Sequence, residues 1–222
     1  MAATDQQDRK PRVLVADGDC LVAAGIRKLL EQDCEVVGIV EDGRTLLAEA
    51  EKLRPDICIT ESVLPLLNGL DVAHRLAKVN PGSRIIFVTS QANSSYIAEA
   101  FRAGVSAYVL KRSAPVELSQ AIHAVMKGQY YLTPLITKDL LVAGTNGSNK
   151  QIGPPSASCL TPRQREVLQL IAEGRGTKEV AAMLNIAVKT VEFHKFRIME
   201  QLDLHSTVAL TKHAIAEGLV RP

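Results

Sequence analysis

At 222 residues the chain has room for one large domain or two small ones, and 46% hydrophobic with 23% charged residues is the composition of a soluble globular protein. No apolar run approaches the roughly 18 residues of a membrane span, and the polar start MAATDQQDRK lacks the core of a signal peptide, so a cytoplasmic protein with a short disordered tail is expected. The net charge of +2 arises wholly from Leu160 onward, where nine Lys and Arg face seven Asp and Glu, a weak electrostatic pointer to nucleic acid at that end.

Short runs rich in Val and Ile occupy 12–17, 35–40, 56–60, 84–89 and 107–110. Each precedes a stretch of helical period. After the first, Leu21, Val22, Gly25, Ile26, Leu29 and Leu30 are expected on one buried helix face. Strands alternating with helices imply an α/β domain with a five-stranded parallel, doubly wound sheet covered on both faces, ending in a helix over about 114–127. The expected domain spans 11–128. Cys20, Cys34, Cys58 and Cys159 have no metal-ligand spacing and read as free thiols, Cys58 in the core. Residues 129–158 read as a linker, with a short helix over 134–142 and the flexible stretch GTNGSNKQIGPPSAS at 144–158.

The last segment, 159–222, reads as a small all-α domain. Thr161 can cap a helix that opens with Pro162, and Gln164 can complete a capping box. Helices are expected over about 162–173, 177–184, 188–202 and 206–217. The second and third flank a tight Asn185-Ile186-Ala187 turn, which is helix-turn-helix spacing. The run LTPRQREVLQLIAEGRGTKEVAAMLNIAVKTVEFHKFRIMEQLDLHS, 160–206, resembles the LuxR-type (NarL/FixJ) helix-turn-helix family, whose partner is double-stranded DNA. A helical wheel of 188–202 puts Val191, His194, Ile198 and Leu202 inward, His194 as a core histidine. Lys189, Glu192, Phe193, Phe196, Arg197 and Glu200 lie opposite. Lys189 and Arg197 suit phosphate or guanine, Glu192 a cytosine amino group, and Phe193 a thymine methyl; Thr190 and Lys178 suit phosphates. A charged helix face is usually just solvated, but two Phe residues on such a face favour contact with something. Ala187 stands at the helix N-cap, where Ser or Thr is common in the family.

The first domain resembles the receiver of two-component response regulators, through VLVADGD (13–19), PDICITESVLPLLNGLDV (55–72), FVTS (87–90) and AFRAGVSAYVLKRS (100–113). The resemblance implies a phosphoryl switch at the carboxyl ends of the strands: an acidic pair holding Mg²⁺, a phosphoacceptor Asp, a Thr or Ser and a Lys. Asp17, Thr89 and Lys111 match this pattern, and Tyr108 matches the aromatic that couples the pocket to a distal surface. Gly18 replaces the second acid, with Asp19 directly after it, and Glu61 stands at the phosphoacceptor position. The extra methylene moves the attacking oxygen by more than an ångström, and misplacement of that order costs about a hundredfold in rate. Phosphorylation at Glu61 is therefore not expected. No cofactor is required, and Mg²⁺ affinity, resting on Asp17 and Glu61, is expected to be weak or absent.

Two consequences of Glu61 stay open: partial imitation of a phosphorylated carboxylate, or a vestigial site in a dimerisation or ligand-binding module. A plain structural salt bridge between Glu61 and Lys111 would need no signalling at all. The overall expectation is a transcriptional response regulator with an atypical receiver, not an enzyme, acting as a homodimer on paired half-sites. A sensor kinase or another protein regulator is a possible further partner. Val208, Leu210, Ile215 and Leu219 in the last helix permit a dimer contact or belong to the core. A conventional phosphorelay component and a pure protein-interaction module are the competing classes. Docking of the two domains in an inhibited form would bury residues 189–197 against the receiver.

Overall fold

The computed structural model describes residues 9–137 and 160–221. The tail expected before residue 9, the flexible stretch 144–158, Cys159 and the later part of the 134–142 helix lie outside the described residues; positions 134–137 are helical.

The first domain alternates β1 (Arg12–Ala16), α1 (Cys20–Leu30), β2 (Glu35–Val40), α2 (Gly43–Leu53), β3 (Ile57–Thr60), α3 (Gly69–Val79), β4 (Arg84–Thr89), α4 (Ser94–Arg102), β5 (Ala107–Leu110) and α5 (Ala114–Met126). Side chains along a strand point alternately to opposite faces, and both faces are covered. Leu14, Ala16, Cys58, Phe87 and Tyr108 join one core layer with residues of α2, α3 and α4. Val13, Val15, Ile57, Ile59, Ile86 and Val88 join the other with residues of α1 and α5. All strand pairs are parallel and the order is β2-β1-β3-β4-β5-β6. The chain direction of the crossovers reverses between β1 and β3, so the crevice at their carboxyl ends is the place where such sheets carry a site.

Two expectations need correction. The sheet has six strands, because β6 (Tyr131–Leu132) pairs with Ala107 and Tyr108 of β5 beyond the expected end of the domain. Two residues are too few to show a period. The α1 face is also rotated. Leu21 is 78% and Leu29 41% exposed, while Ala23, Ile26 and Leu30 are buried. The helix CLVAAGIRKLL is apolar almost all round, so its sequence does not fix its phase; packing against α5 and the sheet does.

The second domain comprises α6 (Pro162–Ala172), α7 (Thr177–Leu184), α8 (Val188–Gln201) and α9 (Thr207–Ala216). Thr161 and Gln164 form the capping box. Asn185 ends α7 in the left-handed region at φ 51°, a conformation Asn tolerates better than most residues, and sets up the turn into α8. Leu168, Leu184, Val191, Ile198, Leu210 and Leu219 build the core, whereas Val208 is exposed. Among the described residues, no helix is long and apolar enough to cross a membrane.

Candidate nucleic-acid interface and receiver pocket

The α8 wheel holds. Val191 and Ile198 are buried, and His194 and Leu202 are half-buried. The opposite face presents Phe193 at 60% and Phe196 at 64% exposure, beside exposed Lys189, Glu192, Arg197 and Glu200. Arg197 is paired with Glu200 at 2.8 Å, so it must exchange that partner to meet another. Thr190 is half-buried in the first turn of α8, and Lys178 is exposed on α7. Ala187 is the N-cap and supplies no side-chain hydrogen bond.

The receiver pocket gathers residues from four strand ends. Asp17 follows β1, Glu61 follows β3, Thr89 ends β4 and Lys111 follows β5. The Lys111 ammonium lies 2.6 Å from Asp17 Oδ2 and 2.7 Å from Glu61 Oε2. The Ser62 amide and hydroxyl donate to Glu61 Oε1 at 2.7 and 3.0 Å. Ser62 Oγ lies 2.6 Å from Thr89 Oγ1, which accepts from the Gln91 amide at 3.2 Å. Burial pushes the Glu61 carboxyl up, but the hydrogen bonds of Lys111, Thr89 and Ser62 and the Lys111 charge together hold it below its ordinary range. Tyr108 is fully buried, donates to the Gln91 carbonyl at 3.1 Å, and has its phenol pushed up by burial and by Glu61. Asp19 borders the pocket, but its Oδ1 caps α1 by accepting from the Leu21 and Val22 amides.

This donor set fits a divalent cation poorly. Gly18 offers no side-chain oxygen, Asp19 has its Oδ1 committed to the cap, and the Lys111 ammonium already lies between Asp17 and Glu61. Among the described residues, no group of three or more His, Cys, Asp or Glu is placed to hold a metal.

Sequence reasoning missed the contact between the domains. The polar residues Gln164, Arg165, Glu166 and Gln169 of α6 are buried, although a wheel would put them in water. Gln169 Nε2 donates to the Leu64 carbonyl at 2.8 Å, and its Oε1 accepts from the Asn68 amide at 2.9 Å. Glu173 accepts from the Leu66 amide at 2.9 Å. Glu166 pairs with Arg75, Arg165 lies 3.5 Å from Asp71, and Arg44 donates to the Met183 carbonyl at 3.1 Å. The domains are therefore docked, but through α6; the 189–197 face is left uncovered. Arg221 is the other residue that went unread: its guanidinium reaches Asp17 and Glu61, each at 3.4 Å. The one available signal was the crowding of Arg, Gln and Glu in 163–173 on a helix that also carries core Leu residues.

Comparisons with known proteins agree with this architecture. The response regulator receiver domain model matches residues 13–123, and the model for bacterial regulatory proteins of the luxR family matches 158–214. The oxygen regulatory protein NreC of Staphylococcus carnosus is 30% identical over 94% of this chain and 99% of its own length. NreC of Staphylococcus aureus is 31% identical over the same shares. A structure of the Salmonella typhimurium RcsB response regulator superposes with a TM-score of 0.64 at 28% identity, covering 94% of this chain and 98% of that one. An RcsB–DNA complex superposes at 0.57 with 30% identity, covering 92% and 98%. The chain belongs to the LuxR family of bacterial regulatory proteins, as a response regulator whose receiver domain precedes its helix-turn-helix domain.

Proposed function

We propose that this chain reads double-stranded DNA through the outer face of α8 and does so without phosphorylation of its receiver. The observation that carries the reading is the exposed pair Phe193 and Phe196 between Lys189 and Arg197, on the second helix of a helix-turn-helix. A recognition helix places such a face in the major groove. There the rings suit thymine methyls, Lys189 and Arg197 suit guanine or phosphate, and Glu192 suits a cytosine amino group, while Lys178 and Thr190 suit phosphates. RcsB, a relative in fold and sequence, has been seen as dimers on DNA, and pairing on two half-sites is the corresponding proposal for this chain. Phosphorylation independence rests on Glu61, whose carboxylate is already held by Lys111 and Ser62. This supports a pocket satisfied in charge more than one awaiting a phosphoryl group.

Selection of DNA sites with untreated full-length protein tests the first part. Specific, salt-sensitive binding is expected, with Phe193→Ala weakening the best site by roughly 1–3 kcal/mol. Binding that is unspecific, or indifferent to Phe193, would refute it. Incubation with a small phosphodonor and Mg²⁺ tests the second part by mass: no adduct is expected, and a stable phosphoryl group on Glu61 would overturn it.

A further inference from the structure

We propose that the receiver pocket is a binding socket for a guanidinium supplied by the other domain, that of Arg221, and that this ion takes the place in which a receiver would hold a divalent cation. The pocket holds two buried carboxylates, Asp17 and Glu61, and one lysine. Lys111 alone leaves the cluster with a net negative charge. Arg221 supplies the missing positive charge and touches one oxygen of each carboxylate. The two ions divide the work: Lys111 meets Asp17 Oδ2 and Arg221 meets Oδ1, and both share Glu61 Oε2.

The segment carrying Arg221 is seated rather than loosely laid. Leu219 and Val220 are buried, and Val220 borders the same cavity of about 450 Å³ as Glu61, Thr89 and Lys111. Gly218 lets the chain turn there at φ 69°, and a Cβ at that position would overlap the Gln91 side chain of the receiver. The docked path thus favours glycine for its backbone angle, while the tip of the flexible Gln91 side chain would have only to swing aside for a Cβ.

The identity of residue 61 also belongs to this arrangement. Aspartate would draw the carboxylate back by roughly one C–C bond, about 1.5 Å. The Arg221 contact, 3.4 Å with glutamate, would then fall outside ion-pair reach. On this reading the longer side chain is what meets the second domain, and Glu61 anchors docking. The inference does not depend on DNA binding, and its test contains no DNA, so either can fail alone.

Hydrogen–deuterium exchange of the full chain, followed by peptide mass, decides the matter in segments 60–69 and 214–221. Arg221→Ala and Glu61→Gln are each expected to speed exchange in both segments roughly two- to fivefold, the range of a partly exposed ion pair. The double variant should be no faster than the quicker single one, and Arg221→Lys should recover part of the protection. Unchanged exchange in Arg221→Ala, or single effects that simply multiply in the double variant, would overturn the socket. Millimolar Mg²⁺ should leave the unmodified chain's exchange as it is; release of 214–221 by Mg²⁺ would show that the metal outcompetes Arg221 and would overturn the substitution of one cation by the other.

Discussion

Gln169→Ala removes a side chain that belongs to the helix-turn-helix domain but spends its hydrogen bonds on the receiver. Gln169 is fully buried, its Oε1 accepts from the Asn68 amide at 2.9 Å, and its Nε2 donates to the Leu64 carbonyl at 2.8 Å. Each such bond contributes about 0.5–1.5 kcal/mol net, and an amide or carbonyl left dry and unpaired costs about 1–3 kcal/mol. With water entering the gap, the loss to docking is about 1–3 kcal/mol, or a roughly five- to 150-fold shift toward separated domains. Within its own domain Gln169 contacts Glu173 at 2.8 Å on the helix surface, so that domain's core is untouched. The assay is amide exchange of the full chain, resolved by residue. The Asn68 amide should exchange faster by the stated factor, while Leu14, Ile59 and Ile86 in the central strands keep their protection. An unchanged Asn68 amide would refute the docked arrangement, and equal acceleration in the strands would show that the variant acts on the receiver's own stability instead.

Ala187→Ser adds the side-chain cap that α8 lacks and should stabilise the second domain by about 0.5–2 kcal/mol, read as a raised Tm; no rise would mean the existing bond from the Thr190 amide to the Ala187 carbonyl at 2.9 Å already suffices. The Glu61 carboxyl is held below its ordinary range in the folded chain, so its contribution to stability is present above that range and is lost as pH falls through the depressed value. Urea unfolding should therefore show Glu61→Gln less stable than the unmodified chain near neutrality, with the gap closing in acid; a gap that does not depend on pH would contradict the pairing with Lys111. Among the described cysteines, Cys20 is exposed, whereas burial pushes the Cys34 and Cys58 thiols up to about 11. Iodoacetamide followed by peptide mapping should mark Cys20 long before those two, and early labelling of Cys58 would contradict its place in the sheet.

What the sequence disclosed follows from period and punctuation. The five longer strands were visible as Val- and Ile-rich runs, because a strand covered on both faces must be apolar throughout. The two faces of α8 were visible because Val191 and Ile198 repeat along one side of the helix while Phe193 and Phe196 repeat along the other. Asp17, Thr89 and Lys111 could be located through the resemblance to receivers, and the structure brings Asp17 and Lys111 together with Glu61 while Thr89 joins through Ser62. The Ser62 bridge depends on a hydroxyl rotor, and no linear pattern marks it. Arg221 lies 160 positions from Glu61, and nothing local to either announces the other. The phase of α1 was misread for a different reason: Arg27 and Lys28 mark its solvent side only broadly, and the rest, apolar on every other side, is turned by its neighbours.

The contact between the domains is made mostly of amides, carbonyls, carboxylates and guanidinium groups, with α6 as its hub and Leu66 of the receiver as an apolar member. A surface of this kind is at home in water when it parts, since each hydrogen bond it gives up is replaced by one to solvent. Separation therefore bares few apolar side chains, Leu66 and Val220 among them. The inner edge of α6, with Val167, Leu168 and Leu170, stays in its own core throughout. One helix thus serves a permanent structure on one side and a separable joint on the other, and substitutions along it divide accordingly: those on the inner edge endanger a fold, and those on the outer edge retune an equilibrium.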